Sequence, residues 1–317
     1  MADINENRRQ PLISILIPLY NHAAYIAECL DSILEQGPER IELILIDDGS
    51  SDDGLVIAQR WKELHGDGFA LIEFNRQENA GITRTFDRLI RRSTGDVIMI
   101  VASDDMLLPG SISSRLELLQ QPGVMAVFGD ALPVDGSGKA IGTSAIGELG
   151  NPSSRSALAD PRTLPWELIF RWNIYGSVLM CRREAILKSD GSTVLNLDIF
   201  CEDMQLYYQL SSHGTLRYLD QPVAKYRIHG ANTSHSEENI GKLRTSGYQA
   251  RKHAMKEMPW GRRTVVAMQA FTHHRWAKGL RARALFPFVA AAYAGALSAR
   301  FIYDLYRVYV LHQPQKI

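Results

Sequence analysis

Between residues 12 and 128 the apolar positions follow two alternating periods. Short apolar runs at 12–18 (LISILIP), 41–46, 70–74, 97–102 and 124–128 are bounded by turn formers. Runs of that length predict strands buried on both faces of a parallel sheet. Between them, residues 23–36 (AAYIAECLDSILEQ) carry Ile26, Leu30, Ile33 and Leu34 at helical spacing. Residues 55–64, 82–92 and 111–120 read as helices by the same period. Strand and helix in alternation predict an α/β fold, Rossmann-like, with a mainly parallel sheet and right-handed crossovers.

Beyond 128 the periods weaken. Residues 129–164 are rich in Gly, Ser, Pro and Ala and predict a hairpin and a long mobile loop. A short helix at 165–172, an extended stretch at 177–182 and a helix at 202–213 follow. Two short strands are expected near 215–219 and 223–226, and a helical pattern from about 237 onward. The resulting organisation is a disordered leader at 1–11, an α/β domain at 12–235 and a basic helical C-terminal region at 236–317.

Charge changes this picture. Lys+Arg and Asp+Glu both total 35, but residues 244–317 hold 13 of the cations and 2 of the anions. An acidic body with a basic tail implies contact with something anionic, or packing of the tail on the body. Residues 285–299 are uncharged, yet a spanning helix needs about 20 apolar residues. This segment suits a helix lying in the interface of an anionic membrane, or equally one packed on the body or on a second subunit. No nucleic-acid motif accompanies the basic residues. The three cysteines show neither disulfide nor metal spacing, and the N-terminus lacks a signal-peptide core, which together point to the cytoplasm. Nothing in the chain indicates an oligomeric state.

The candidate chemistry lies at the strand ends. Strand one exits at Pro18-Leu19-Tyr20-Asn21, strand two at Asp47-Asp48-Gly49-Ser50-Ser51-Asp52, strand three before Asn79-Ala80-Gly81-Ile82-Thr83-Arg84, and strand four at Ser103-Asp104-Asp105. Ligands of open α/β sheets bind at this edge. Each station alone could be a turn or a helix cap. Adjacent carboxylates in a cleft repel, and a divalent cation would hold both ionised. No G-x-G-x-x-G or G-x-x-x-x-G-K-[ST] is present, which disfavours the usual dinucleotide and P-loop sites.

The order of these motifs resembles the family 2 glycosyltransferases, inverting enzymes of the GT-A (nucleotide-diphospho-sugar transferase) fold that use nucleotide-sugar donors. The matching segments are ILIPLYN (15–21), LILIDDGSSD (43–52), NAGIT (79–83), GDVIMIVASDDMLLPG (95–110), CEDMQLYYQL (201–210) and YRIHGANTS (226–234). The resemblance implies that Pro18, Tyr20 and Asn21 begin the base pocket. It implies that Asp48, with Asp47 beside it, binds the base, usually uracil or thymine, and that Gly81 and Arg84 approach the nucleotide. The family's fourth station is often Asp-x-Asp-Asp; here Ala102 replaces the first carboxylate. Asp105 is then expected as the direct Mn or Mg ligand, Asp104 as a ribose contact or second ligand, and His229 as a further group near the metal or diphosphate. Of Glu202 and Asp203, the family pattern selects Asp203 as catalytic base toward an acceptor hydroxyl.

The implied reaction moves a sugar from a UDP- or dTDP-linked donor to a glycan or lipid-linked acceptor. Its expected setting is bacterial surface polysaccharide synthesis, at the inner face of the membrane. The rival readings are a sugar nucleotidyltransferase and a non-catalytic nucleotide-sugar binding module. The first would carry a Gly-rich loop and a Lys after strand one, which PLYNHAAY lacks.

Overall fold

The computed structural model describes residues 10–37, 40–150, 152–230, 237–256 and 258. The chain divides into two units, Met1–Met258 and Pro259–Ile317, and the described residues all belong to the first. Most of the expected leader, and the C-terminal region from 259 with its uncharged segment, lie outside the described residues.

In chain order the elements are β1 (Leu12–Leu19), α1 (Ile26–Leu34), β2 (Arg40–Asp47), α2 (Gly54–His65), β3 (Leu71–Arg76), α3 (Ile82–Arg92), β4 (Val97–Ile100) and β5 (Met106–Leu107). They continue with α4 (Ser111–Leu119), β6 (Ala126–Val134), α5 (Ala145–Glu148), α6 (Arg155–Ala159), α7 (Leu164–Phe170), β7 (Leu179–Arg182), α8 (Glu202–Ser212), β8 (Leu216–Arg227) and α9 (Glu237–Ala254). The strands form one sheet in the order β3-β2-β1-β4-β7-β6-β8-β5. β3, β2, β1 and β4 run parallel, β7 opposes β4 and β6, β8 is parallel to β6, and β5 opposes β8.

The first half follows the hydrophobic pattern closely. β1 and β2 are buried at every position but their first, because helices cover both faces of a parallel sheet. β3 stays half exposed at the sheet edge. Register then sets the functional edge. Leu19 pairs with Asp47, and Leu16 pairs with Ile100. The exits of β1, β2 and β4 therefore arrive at nearly the same level.

The chain departs from expectation in three places. The segments at 215–219 and 223–226 form one strand, β8, whose pairing with β6 shifts register between Phe128 and Ala131. Gly129 sits at that shift, and a Cβ there would lie 2.7 Å from the Val223 side chain, so only glycine admits this approach. Residues 129–164 are more structured than a loop: β6 runs on to Val134, and α5 and α6 follow. Asp130, fully buried, organises them by accepting from Ile146 N at 3.0 Å and Arg155 Nη2 at 2.9 Å, and from the Ser144 hydroxyl. β5 was not expected, since two residues are too short to leave a period. Among the described residues no helix is long and apolar enough to cross a membrane.

Candidate active site

The β1 exit is stitched to the loop after β2. Asn21 adopts φ 54°, the only positive φ of a non-glycine among the described residues. Asn residues tolerate this conformation better than most. It lets the Asn21 N–H donate to Ser50 Oγ at 2.9 Å while its Oδ1 accepts from Ser51 N at 2.8 Å. Pro18 is buried beneath, and Tyr20 stands 49% exposed on the rim, an aromatic face left open beside the carboxylate loop.

Asp47 and Asp48 divide two tasks. Asp47 is buried, accepts from Ser50 N at 3.1 Å, and faces Arg76 Nε at 3.3 Å. Asp48 turns toward the segment after β3. Its Oδ1 accepts from Gln77 Nε2 at 2.7 Å and Ala80 N at 2.8 Å, and its Oδ2 from Gly81 N at 3.0 Å. Asp48 thus shapes the loop that carries Gly81. Gly81 has φ 83° and open space where a Cβ would stand. Arg84 lies one turn into α3, half exposed, with Nη2 3.5 Å from Asp198 Oδ1.

The same loop reaches the expected base. Thr83 Oγ1 donates to Ile199 O at 2.9 Å, just before Glu202 and Asp203 open α8. Cys201 N, at the helix start, donates to Ser246 Oγ of α9 at 2.8 Å. Asp203 is open to solvent while Glu202 is partly covered. The mass of protein around this helix start desolvates both carboxyls. Asp203 is pushed up to about 6, and Glu202, which also feels the Asp203 charge, is raised well above the usual carboxylate range. Accessibility and desolvation coexist here, because a side chain in a cleft can touch water and still be ringed by low-dielectric protein.

Asp104 and Asp105 point to different surroundings. Asp105 is 1% exposed, accepts from Ser177 Oγ at 2.8 Å and from Arg227 N at 3.1 Å, and is pushed up to about 8 by burial and by the Asp104 charge. Burial also works to raise Asp104, but the hydrogen bond with His229 and the nearby His22 outweigh it and the carboxyl is lowered. Asp104 Oδ2 lies 3.0 Å from His229 Nε2 and 3.8 Å from His22 Nε2. The two adjacent carboxyls are thus pushed in opposite directions by their surroundings, Asp104 down and Asp105 up.

His22, Asp104 and His229 can each offer one ligand atom, all within 4.8 Å of one another. Two imidazoles and a carboxylate are a chemically competent donor set for a divalent cation. Burial lowers His22, which favours the neutral form a ligand needs. Asp105 is not part of this cluster, because its oxygens are turned to Ser177 and Arg227. The ranking of Asp105 ahead of Asp104 as metal ligand therefore does not follow from the geometry.

Below the cluster lies Arg227, 1% exposed. Its Nε donates to Asp104 O and its Nη1 to Gly136 O, both at 2.9 Å; Nη2 meets Glu28, and the guanidinium stacks 4.8 Å from the Tyr25 ring centre. Sequence reasoning missed His22, Arg76, Ser177 and Arg227. His22 had a usable signal, since it directly follows Asn21 on the functional edge. Arg227 falls inside the YRIHGANTS segment (226–234) without being singled out there, and Ser177, just before β7, had no signal.

Comparison with known proteins identifies the family. The family model for glycosyl transferase family 2 matches residues 14–187, more than half of the chain. An uncharacterized glycosyltransferase of Nostoc sp. is 27% identical over 247 residues, 78% of this chain and 72% of that protein. Escherichia coli chondroitin synthase is 28% identical over 239 residues, 74% of this chain but 32% of that enzyme. An uncharacterized Mycobacterium tuberculosis protein is 34% identical over 125 residues, 39% of this chain and 38% of that protein. This chain thus spans about a third of the length of two of these relatives.

Two solved structures share the fold. The mannosyltransferase PcManGT of Pyrobaculum calidifontis, in complex with GDP-Man and Mn2+, superposes with a TM-score of 0.56 at 20% identity, covering 97% of this chain and 82% of that one. Residues 1–349 of Staphylococcus aureus TarS, in complex with UDP-GlcNAc, give 0.58 at 15%, covering 92% and 83%. With its four strand exits gathered on one edge and a family match over more than half its length, the chain belongs to glycosyl transferase family 2 and has the GT-A fold.

Proposed function

We propose that the protein transfers a sugar from a nucleotide-diphosphate sugar to a hydroxyl of a glycan or lipid-linked acceptor, with inversion. The observation that carries this reading is the arrangement of one sheet edge. An anionic His-Asp-His cluster stands on the β4 side of that edge, and the loop shaped by Asp48 leads to Asp203.

In this reading Pro18, Tyr20 and Asn21 form the near wall of the base site. Asp47 and Asp48 hold its floor, and Gly81 leaves room for the nucleotide. Arg84 and Arg76 supply positive charge at the rim. Asp104 and His229 would hold Mn or Mg, which when bound neutralises charge on the leaving diphosphate. Asp105 supports them by tying the β4 exit to Ser177 and to the end of β8. Asp203 takes the proton of the acceptor hydroxyl, with Glu202 beside it at the start of α8. A carboxyl near 6 is ionised at neutral pH and is a stronger base than an ordinary aspartate, which suits that task.

The similar structures bind GDP-Man in one case and UDP-GlcNAc in the other, so the base is an experimental question. UDP or dTDP is our expectation from the DDGSSD segment. A thermal-shift screen of UDP-, dTDP- and GDP-sugars with Mn present tests it. Stabilisation by UDP- or dTDP-sugars, lost in Asp104→Ala, supports the reading; a response to none of the nucleotide-sugars sinks it.

We also propose that the basic region beyond 243 brings the enzyme to an anionic membrane on the cytoplasmic side, where a lipid-linked acceptor would lie. Deleting 260–317 should abolish sedimentation with anionic vesicles. Unchanged sedimentation would refute the membrane role and leave the transferase reading intact.

A further inference from the structure

His22 has no assigned role in the reaction, yet it is built into the cation cluster. It follows Asn21 at the β1 exit, and the Asn21 contacts to Ser50 and Ser51 fix the backbone that presents it. Its Nδ1 lies 2.8 Å from Ser103 Oγ. Its Nε2 is directed at Asp104 Oδ2, 3.8 Å away. That separation is too long for a hydrogen bond and short enough for both atoms to share an ion. With Nδ1–H donating to the serine hydroxyl, the Nε2 lone pair faces the cluster, which is how metal-bound histidines are commonly held. The side chains of His22, Asp104 and His229 are 19%, 11% and 6% exposed, so the cluster is sheltered but open to entry. Residue 102 is alanine, so the β4 exit carries no carboxylate besides Asp104 and Asp105.

We propose that His22 ligates the same cation as Asp104 and His229, and that the two imidazoles make this centre select a first-row transition ion over magnesium. The inference rests on the donor-site reading given above and deepens it. Magnesium prefers six oxygen ligands in octahedral geometry and takes imidazole poorly. Manganese accepts mixed nitrogen and oxygen sets, and zinc binds such sets more tightly still by the Irving–Williams order. A site with one carboxylate and two imidazoles has exchanged charge for nitrogen donors. It loses more affinity for magnesium than for manganese.

The test is metal binding to the full-length, metal-stripped protein, read by calorimetry and by the electron paramagnetic resonance of free Mn with Mg as competitor. Wild type should bind Mn at least about tenfold more tightly than Mg, and His22→Ala should bring that ratio close to one through loss of about 10- to 100-fold in Mn affinity. His22→Asn retains a polar contact to Ser103 but lacks Nε2, and should behave like His22→Ala. Thermal unfolding in chelator checks that each variant is folded, and the Asn variant, whose amide can take the place of Nδ1, decides the matter if the Ala variant is not. A wild-type ratio near one, or a wild-type ratio retained in folded His22→Asn, overturns the proposal. Asp104→Ala separates the two levels. If it loses Mn while His22→Asn does not, only the role of His22 fails. If Asp104→Ala binds Mn as wild type does, the metal centre itself is wrong.

Discussion

At the scale of single residues, the desolvated carboxyls that open α8 are the feature with most consequence. Asp203 is raised to about 6 and Glu202 is raised beside it, chiefly by desolvation. The active base is the ionised form, so the rate limb should rise with pH and level off above about 6. Asp203→Asn should lower kcat by about 10²- to 10⁴-fold, the usual value of a positioned base, with donor affinity unchanged in a titration. Stability should move the other way. A carboxyl whose folded pKa exceeds its unfolded value of about 3.9 binds protons preferentially in the folded state. Its contribution is complete below that unfolded value and is lost as pH rises through about 6. Asp203→Asn, neutral at every pH, should therefore melt higher than wild type at pH 7 and show no such gain at pH 4. An unaltered melting temperature at pH 7 would contradict the desolvation argument.

At the scale of elements, loops between strand and helix are held by side chains from neighbouring loops. Gly49, φ 77°, lets the turn after β2 lie against the Asn79 backbone; an alanine Cβ there would sit 2.9 Å from Asn79 N. Gly49→Ala combines a left-handed backbone cost of about 1–2 kcal/mol with that clash. It should lower the melting temperature and weaken nucleotide-sugar binding together, because Asp48 and the Gly81 loop are displaced as a unit. Loss of stability with intact donor binding would show that the loop adjusts independently. The elements themselves were unequally legible. β1, β2, α3 and α4 keep a clear period and appear within two residues of expectation. β5 is too short for a period, and the single strand β8 read as two because Asp220, Gln221 and Pro222 interrupt it at the register shift.

At the scale of the whole molecule, Arg227 joins parts of the chain that are far apart in sequence. One guanidinium bonds the β4 exit at Asp104 O, the turn at Gly136 O and Glu28 of α1, and packs on Tyr25. Glu28 is 54% exposed, so its ion pair is partly screened, and the Gly136 carbonyl lies at an exposed turn; the buried Asp104 carbonyl is the larger loss. Arg227→Met removes the guanidinium's bond to that carbonyl, at about 1–3 kcal/mol. We expect a melting temperature several degrees lower and a reduced Mn affinity, although Arg227 itself would touch no metal. Retained Mn affinity in the folded variant would limit Arg227 to a structural role.

The local pattern of the chain was enough to determine the alternation of strand and helix and the sheet edge at which the segments from Pro18 to Asp105 gather. These follow from side-chain period and turn chemistry, which act over a few residues. The tertiary structure alone decided which carboxylate faces which neighbour. Asp104 meets His229 and His22, Asp105 turns to Ser177 and Arg227 N, and Asp48 closes on Ala80 and Gly81. Those choices depend on segments up to 125 positions apart. A carboxylate's charge state is set by desolvation and by the partners that packing brings to it, and neither is encoded in its own stretch of sequence.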